Sequence, residues 1–141
     1  DRIVDFFGPV YFFGPFVQDL MEQSLLGQPA DLPGIDFLNE ELLPKLQSGD
    51  LSIAGMRLEL LKRSPVYFVD RFPDIQIHHG TDDDIVPVAQ SRLLDEALAA
   101  RGINHSLFIY ERGAHNPFGL SGSLTRAREF LSNPGVVALA D

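Results

Sequence analysis

Apolar and polar positions change rhythm twice along the 141 residues. The chain opens on a compact apolar run, Ile3-Val4-Asp5-Phe6-Phe7, stopped by Gly8-Pro9, which predicts a short buried strand over residues 3–7. The hexad beginning at Phe6 is echoed by Phe12-Phe13-Gly14-Pro15, read as an aromatic loop leading into a helix. Residues 16–63 then keep a helical period. Val17, Leu20, Met21 and Leu25 share one face, with Gly27 as the stop. Beyond a Pro/Gly loop at 27–34, residues 37–47 place Leu38, Leu42, Leu43 and Leu46 at helical spacing, and Pro44 predicts a kink or an end. Residues 53–62 repeat the signal with Ile53, Met56, Leu60 and Leu61, and Ser64-Pro65 closes it. The whole block reads as a helical insertion.

From Asp74 onward the rhythm becomes alternating strand and helix. A strand over 75–79 ends in the polar loop 80–84. A stripe of Ala89, Leu93, Leu94, Ala97 and Leu98 follows, closed by Arg101-Gly102 as a basic last turn and a C′ glycine. A strand over 105–110, a loop over 111–118 and a helix presenting Leu120, Leu124, Ala127 and Leu131 complete the run, with Asn133-Pro134-Gly135 as its stop. Strand–helix–strand–helix with such connections predicts the α/β class, a parallel sheet with covering helices.

Composition narrows the picture further. Hydrophobic residues at 45% and charged residues at 22% suit one folded domain with a sizeable core. A net charge of −9 repels phosphate backbones and anionic lipid, so neither nucleic acid nor a membrane is expected as a partner. Without cysteine there is no disulfide, zinc-thiolate site or cysteine nucleophile, and no compartment is fixed. No apolar run reaches the roughly eighteen residues of a membrane span. The start at Asp1, directly inside an apolar run, is what a fragment or a processed product would show.

Two of the strand-end loops carry the chemistry. In open parallel sheets ligands bind where loops leave the carboxyl ends of the strands. The acids Asp82–Asp84 and the imidazole of His115 sit in such loops after consecutive strands about 5 Å apart. A carboxylate there can accept the imidazole Nδ1–H, fix its tautomer and stabilise the imidazolium formed when Nε2 takes a proton. His78 and His79 point to opposite faces of their strand, so one metal ion cannot readily meet both. His79 reads as a structural residue of the acid loop, His105 as exposed, and Gln90 and Ser91 as supports of that loop. The cluster Phe6, Phe7, Tyr11, Phe12, Phe13 and Phe16 reads as core, with some members free to line a pocket.

Residues 75–131 resemble the C-terminal part of the α/β-hydrolase fold, specifically the prolyl oligopeptidase-like serine peptidases with their dipeptidyl aminopeptidase and acylaminoacyl peptidase relatives. The resemblance rests on His79-Gly80-Thr81, Asp83, Val86-Pro87, Gln90-Ser91, Leu94, Ala97-Leu98, Gly102, Tyr110, His115 and Phe118. It implies that Asp83 is the catalytic acid and His115 the catalytic histidine, with no cofactor or metal. Ile3-Val4-Asp5-Phe6-Phe7-Gly8-Pro9 is similar to the strand that follows the nucleophile helix, and Ser64-Pro65 to the point of re-entry into the core. The chain is thus expected to be a single partial α/β-hydrolase domain. Residues 10–63 form its helical, lid-like insertion and residues 64–135 its acid- and histidine-bearing core.

The implied activity is hydrolysis of a peptide bond, or of an ester on the same scaffold, by a Ser-His-Asp triad. A non-catalytic half-domain is the remaining alternative. No G-x-S-x-G elbow occurs in the sequence. Gly119-Leu120-Ser121-Gly122-Ser123 lacks the second glycine and follows His115, whereas the order in this fold is serine, acid, histidine. The nucleophile is therefore expected upstream, and these residues alone are expected to be inactive. A sheet cut beside residues 3–7 would expose a strand edge, so a homo-oligomer, or pairing with the missing N-terminal half, is expected.

Overall fold

A computed structural model describes residues 1–28 and 35–132. Most of the predicted 27–34 loop and the stop at Asn133-Pro134-Gly135 lie outside the described residues. The chain forms two compact units, one from Asp1–Tyr11 with the chain from Pro65 onward, the other from Phe12–Ser64.

The first unit is built on a parallel sheet of three strands, β1 (Arg2–Phe6), β2 (Asp74–Gly80) and β3 (His105–Tyr110), in the order β1-β2-β3. Ile3 pairs with Ile75, and Ile75 in turn with His105. The central strand is buried from Ile75 to Gly80, whereas β1 and β3 are half-buried, each having one strand neighbour among the described residues. β1 therefore differs from the buried strand expected over 3–7. It starts and stops one residue earlier, and Phe7 turns out of it with φ 59°.

Side-chain alternation along β2 sorts the two faces. Ile75 and Ile77 pack with Leu94 and Leu98 of helix α4 (Ala89–Ala100), joined by Val10 and Val69. Gly102 takes the left-handed conformation (φ +66°) expected just past that helix, where a Cβ would be strained. On the other face, His78 lies stacked between its cross-strand neighbours Phe6 and Phe108, with ring centroids 4.8 and 5.3 Å away. The guanidinium of Arg126, from helix α5 (Ser123–Ser132), sits 5.2 Å over the Phe108 ring. The buried face of α5 is Ser123, Ala127 and Phe130, not the predicted Leu120–Leu124–Ala127–Leu131 stripe. Gly122, at φ +75°, stands just before the helix; Leu120 is buried ahead of it, while Leu124 and Leu131 face solvent.

His78 is 0% exposed, with Nδ1 2.8 Å from the Tyr110 hydroxyl and Nε2 2.8 Å from Gln76 Oε1. Burial, helped by the charge of Arg126, lowers its pKa to about 4. Burial also depresses His79. The unfolded chain keeps the ordinary histidine value of about 6.5, so between the two values protons bind the unfolded form preferentially. The stabilisation is complete above the unfolded value and is lost as pH falls toward the folded one. Going from about pH 7 to about pH 5 is expected to cost about 2 kcal/mol through His78 alone. Denaturant unfolding of the native chain and of His78→Phe checks this. Equal slopes of stability against pH in the two proteins would refute it.

The second unit packs helices α1 (Pro15–Leu25), α2 (Leu43–Ser48) and α3 (Ile53–Lys62), with a π-helical segment (Phe37–Leu42) running into α2. Its core is Phe12, Val17, Leu20, Ile35, Leu38, Leu42, Leu43, Met56 and Leu60. Leu25, Ile53 and Leu61, placed on the apolar faces by periodicity, are exposed. Pro44 falls in the first turn of α2, where the π-helical segment gives way to the α-helix. The discontinuity predicted there takes the form of a π turn, closed by the Leu43 amide on the Leu38 carbonyl five residues back. Buried Ser64 ties the unit's ends together, accepting from the Phe12 amide at 3.0 Å and donating to Leu60 O at 2.8 Å. No helix among the described residues is long and apolar enough to cross a membrane.

Candidate active site

Two glycines bring the loops after β2 and β3 into contact. A Cβ on Gly80 would lie 2.0 Å from the Gly113 carbonyl oxygen, and one on Gly113 would lie 3.0 Å from Gly80 Cα. Only backbone fits between them. Across this gap Thr81 N donates to Tyr110 O and Asp82 N to Gly113 O, each at 2.9 Å, and Arg112 N donates to Thr81 Oγ1 at 2.8 Å. Two main-chain bonds and the Thr81 hydroxyl thus zip the loops together.

That zipper sets Asp83 against His115, with Oδ2 2.8 Å from Nδ1. The Asp83 side chain is 0% exposed and that of His115 26%. Buried carboxylates need donors, and Asp83 has several. Its Oδ1 accepts from Ile85 N at 3.0 Å and Val86 N at 2.8 Å, which also folds the acid loop into a tight turn. Its Oδ2 faces the His115 nitrogen and lies 3.2 Å from His79 Nε2. Since an ionised carboxylate only accepts, the His115 proton belongs on Nδ1, and Nε2 carries the free lone pair.

His79 is the third member of the cluster. Its Nε2 is 2.8 Å from Val86 O, an acceptor, so Nε2 bears the proton. Nδ1, 2.7 Å from Ser91 Oγ, then accepts from that hydroxyl. Burial is the largest influence on His79 and lowers its pKa, while Val86 and Asp83 pull the other way. A neutral His79 is thus locked by α4 on one side and donates toward Asp83 on the other. The structural role expected of it reaches further than the loop, to the carboxylate itself. A histidine four residues before the acid was the available signal.

Phe7, a member of the aromatic cluster expected in the core, packs on both imidazoles. Its centroid is 4.7 Å from His115 and 5.7 Å from His79, edge-on to the latter. Other expectations need adjustment. Ser91 supports the acid loop through His79, but Gln90 does not. Its Oε1 accepts from Val10 N (2.9 Å) and Tyr11 N (2.8 Å) and so holds the chain leaving β1. His105 is not simply exposed, since Nδ1 bonds Ile103 O at 2.7 Å and Nε2 lies 3.2 Å from Asp95. Asp82 and Asp84 are exposed. Ser121 is also exposed, and Ser123 is buried with Oγ donating to Pro117 O at 2.8 Å. Among the described residues no group of three or more His, Asp or Glu side chains is placed to hold a metal ion.

No family model matches the sequence, and no curated protein matches it. Solved structures do. One is a puromycin-hydrolyzing peptidase of Mycobacterium tuberculosis, 22% identical over 92% of this chain and 17% of that one, with a TM-score of 0.54. Another is a truncated form of a carbohydrate esterase from gut microbiota, 26% identical over 93% of this chain and 40% of that one, with a TM-score of 0.53. The chain therefore spans less than half the length of either. Both neighbours are of the α/β-hydrolase type, and the small parallel sheet with its helices is a part of that fold.

Proposed function

We propose that these residues supply the acid and the base of a serine hydrolase, a peptidase by preference, whose nucleophile lies outside residues 1–141. The observation that carries this reading is the 2.8 Å contact between a fully buried carboxylate and a partly open imidazole at adjoining strand ends. In the mechanism it supports, His115 Nε2 takes the proton of the serine hydroxyl as the oxygen attacks the substrate carbonyl. Asp83 stabilises the imidazolium. His115 then protonates the departing amine or alcohol, leaving an acyl-enzyme. Water attacks that ester, again losing its proton to Nε2, and the acid product leaves as the serine regains its hydrogen.

Peptide substrates are favoured by the motif set around His79-Gly80-Thr81 and Asp83, which resembles oligopeptidases. The neighbour described as a carbohydrate esterase supports the second reading, an ester substrate. Acid and base loops serve both chemistries alike. Turnover by the serine-bearing enzyme separates them. An aminoacyl anilide is expected to be cleaved with kcat/KM at least about tenfold above that for a short acyl ester, a gap of about 1.4 kcal/mol in barrier. The reverse order would favour the esterase, and no turnover of either would remove the hydrolase reading.

A further inference from the structure

Phe7 stands in a backbone conformation that its side chain does not want. It is one of two non-glycine residues with positive φ among the described residues, at 59°, where the Cβ crowds the following carbonyl. A glycine would sit there without cost. The turn is held on both sides of Phe7. Its amide donates to His78 O at 3.2 Å, and the Asp5 carboxylate accepts from the Gly8 backbone. Asp5 accepts a cost of its own, since its Oδ2 is buried with no hydrogen-bond partner among the described residues and burial raises its pKa. Gly8 is equally constrained, for a Cβ there would lie 2.4 Å from Asp5 Oδ1. Strain maintained by so many contacts has to be repaid by what the strained residue does.

What the turn delivers is a ring. Phe7 is 4% exposed and its centroid is 4.7 Å from His115, with the planes inclined at 41°. The same ring meets His79 at 5.7 Å and 88°. One hydrogen bond to Asp83 fixes a single atom of the His115 imidazole and leaves the ring free to swing about it. A packed aromatic surface removes that freedom. It also keeps water from competing for the Nδ1–H, which strengthens the bond in its drier surroundings.

We infer that Phe7 is a positioning residue for His115: the left-handed turn after β1 exists to press its ring on the imidazole, shielding the Asp83 bond and aiming Nε2. The role in turnover rests on the hydrolase reading; the effect on the imidazole does not.

Proton NMR of the chain tests it, with Asp83→Asn used to assign the low-field His115 Nδ1 proton. Phe7→Leu, which keeps apolar bulk but loses the ring, is expected to speed exchange of that proton with water at least about tenfold, or to broaden it away. Phe7→Tyr is expected to keep it. Leu98→Ala, at a buried position of α4, is expected to lower stability and leave the resonance in place. An unchanged resonance in folded Phe7→Leu, or its equal loss in Leu98→Ala, overturns the inference. Should Phe7→Leu fail to fold, Phe7→Met is read against the same criteria. In the serine-bearing enzyme, Phe7→Leu is expected to lower kcat roughly tenfold with KM unchanged. If the resonance responds to Phe7 but turnover ignores His115→Ala, the hydrolase reading falls and the positioning stands. If turnover needs His115 but the resonance ignores Phe7, only the positioning falls.

Discussion

His115→Ala in the serine-bearing enzyme is expected to lower kcat by about four orders of magnitude, with KM changed far less. The size follows from the chemistry. In the proposed mechanism, loss of Nε2 leaves nothing to remove the serine proton or to protonate the leaving group. Asp83→Asn is expected to cost about three to four orders of magnitude by another route. An amide in that pocket keeps its oxygen on the Ile85 and Val86 amides and so presents its NH2 to His115, which favours the tautomer with its proton on Nε2. The NH2 also replaces the Oδ2 that lies 3.2 Å from the His79 Nε2–H, setting donor against donor. If acid and base act as the proposed unit, the double variant is expected to be no worse than His115→Ala. Full additivity of the two losses, or retention of native kcat in either single variant, would show that the pair does not act in the reaction.

Gly80→Ala carries the largest expected effect on stability, about 3 kcal/mol or more. The new methyl would stand 2.0 Å from the Gly113 oxygen and 2.3 Å from its carbonyl carbon. These are backbone atoms of the neighbouring strand-end loop, so no rotamer change relieves the clash. Relief requires the loops to part, at the expense of the Asp82 N to Gly113 O bond and of the zipper that holds Asp83 to His115. Gly113→Ala is expected to be milder, because the closest atom to its Cβ is Leu120 Cδ2 at 2.4 Å, on a side chain that can turn. Urea unfolding ranks the two. A Gly80→Ala midpoint within error of the native one would show that the loops have slack.

Legibility in the chain varied with the range of the interaction involved. Strand β3 emerged at its observed limits, His105–Tyr110, from a short apolar run between turn residues. The left-handed Gly102 was readable because helix termination is decided by a few neighbouring residues. In helix α5 both Leu124–Ala127–Leu131 and Ser123–Ala127–Phe130 have helical spacing, and only packing against the sheet decides that the second is buried. Gln90, expected to support the acid loop, holds the chain after β1 instead, for a comparable reason. Helical periodicity says which side of α4 is covered, but not that Val10 and Tyr11 lie above it.

Chain-local chemistry dictated the alternation of strands and helices, the turn glycines and the placing of an acid and a histidine in consecutive strand-end loops. Periodicity and turn preference act over about four residues, so these features are written in any short window. Packing alone supplied the His79–Asp83 contact, the backbone-to-backbone approach of Gly80 and Gly113, and the ring of Phe7 on His115. Those groups come from three strand ends far apart along the chain. They meet only because burial summed over the whole sheet fixes the register of β1 on β2 and β2 on β3.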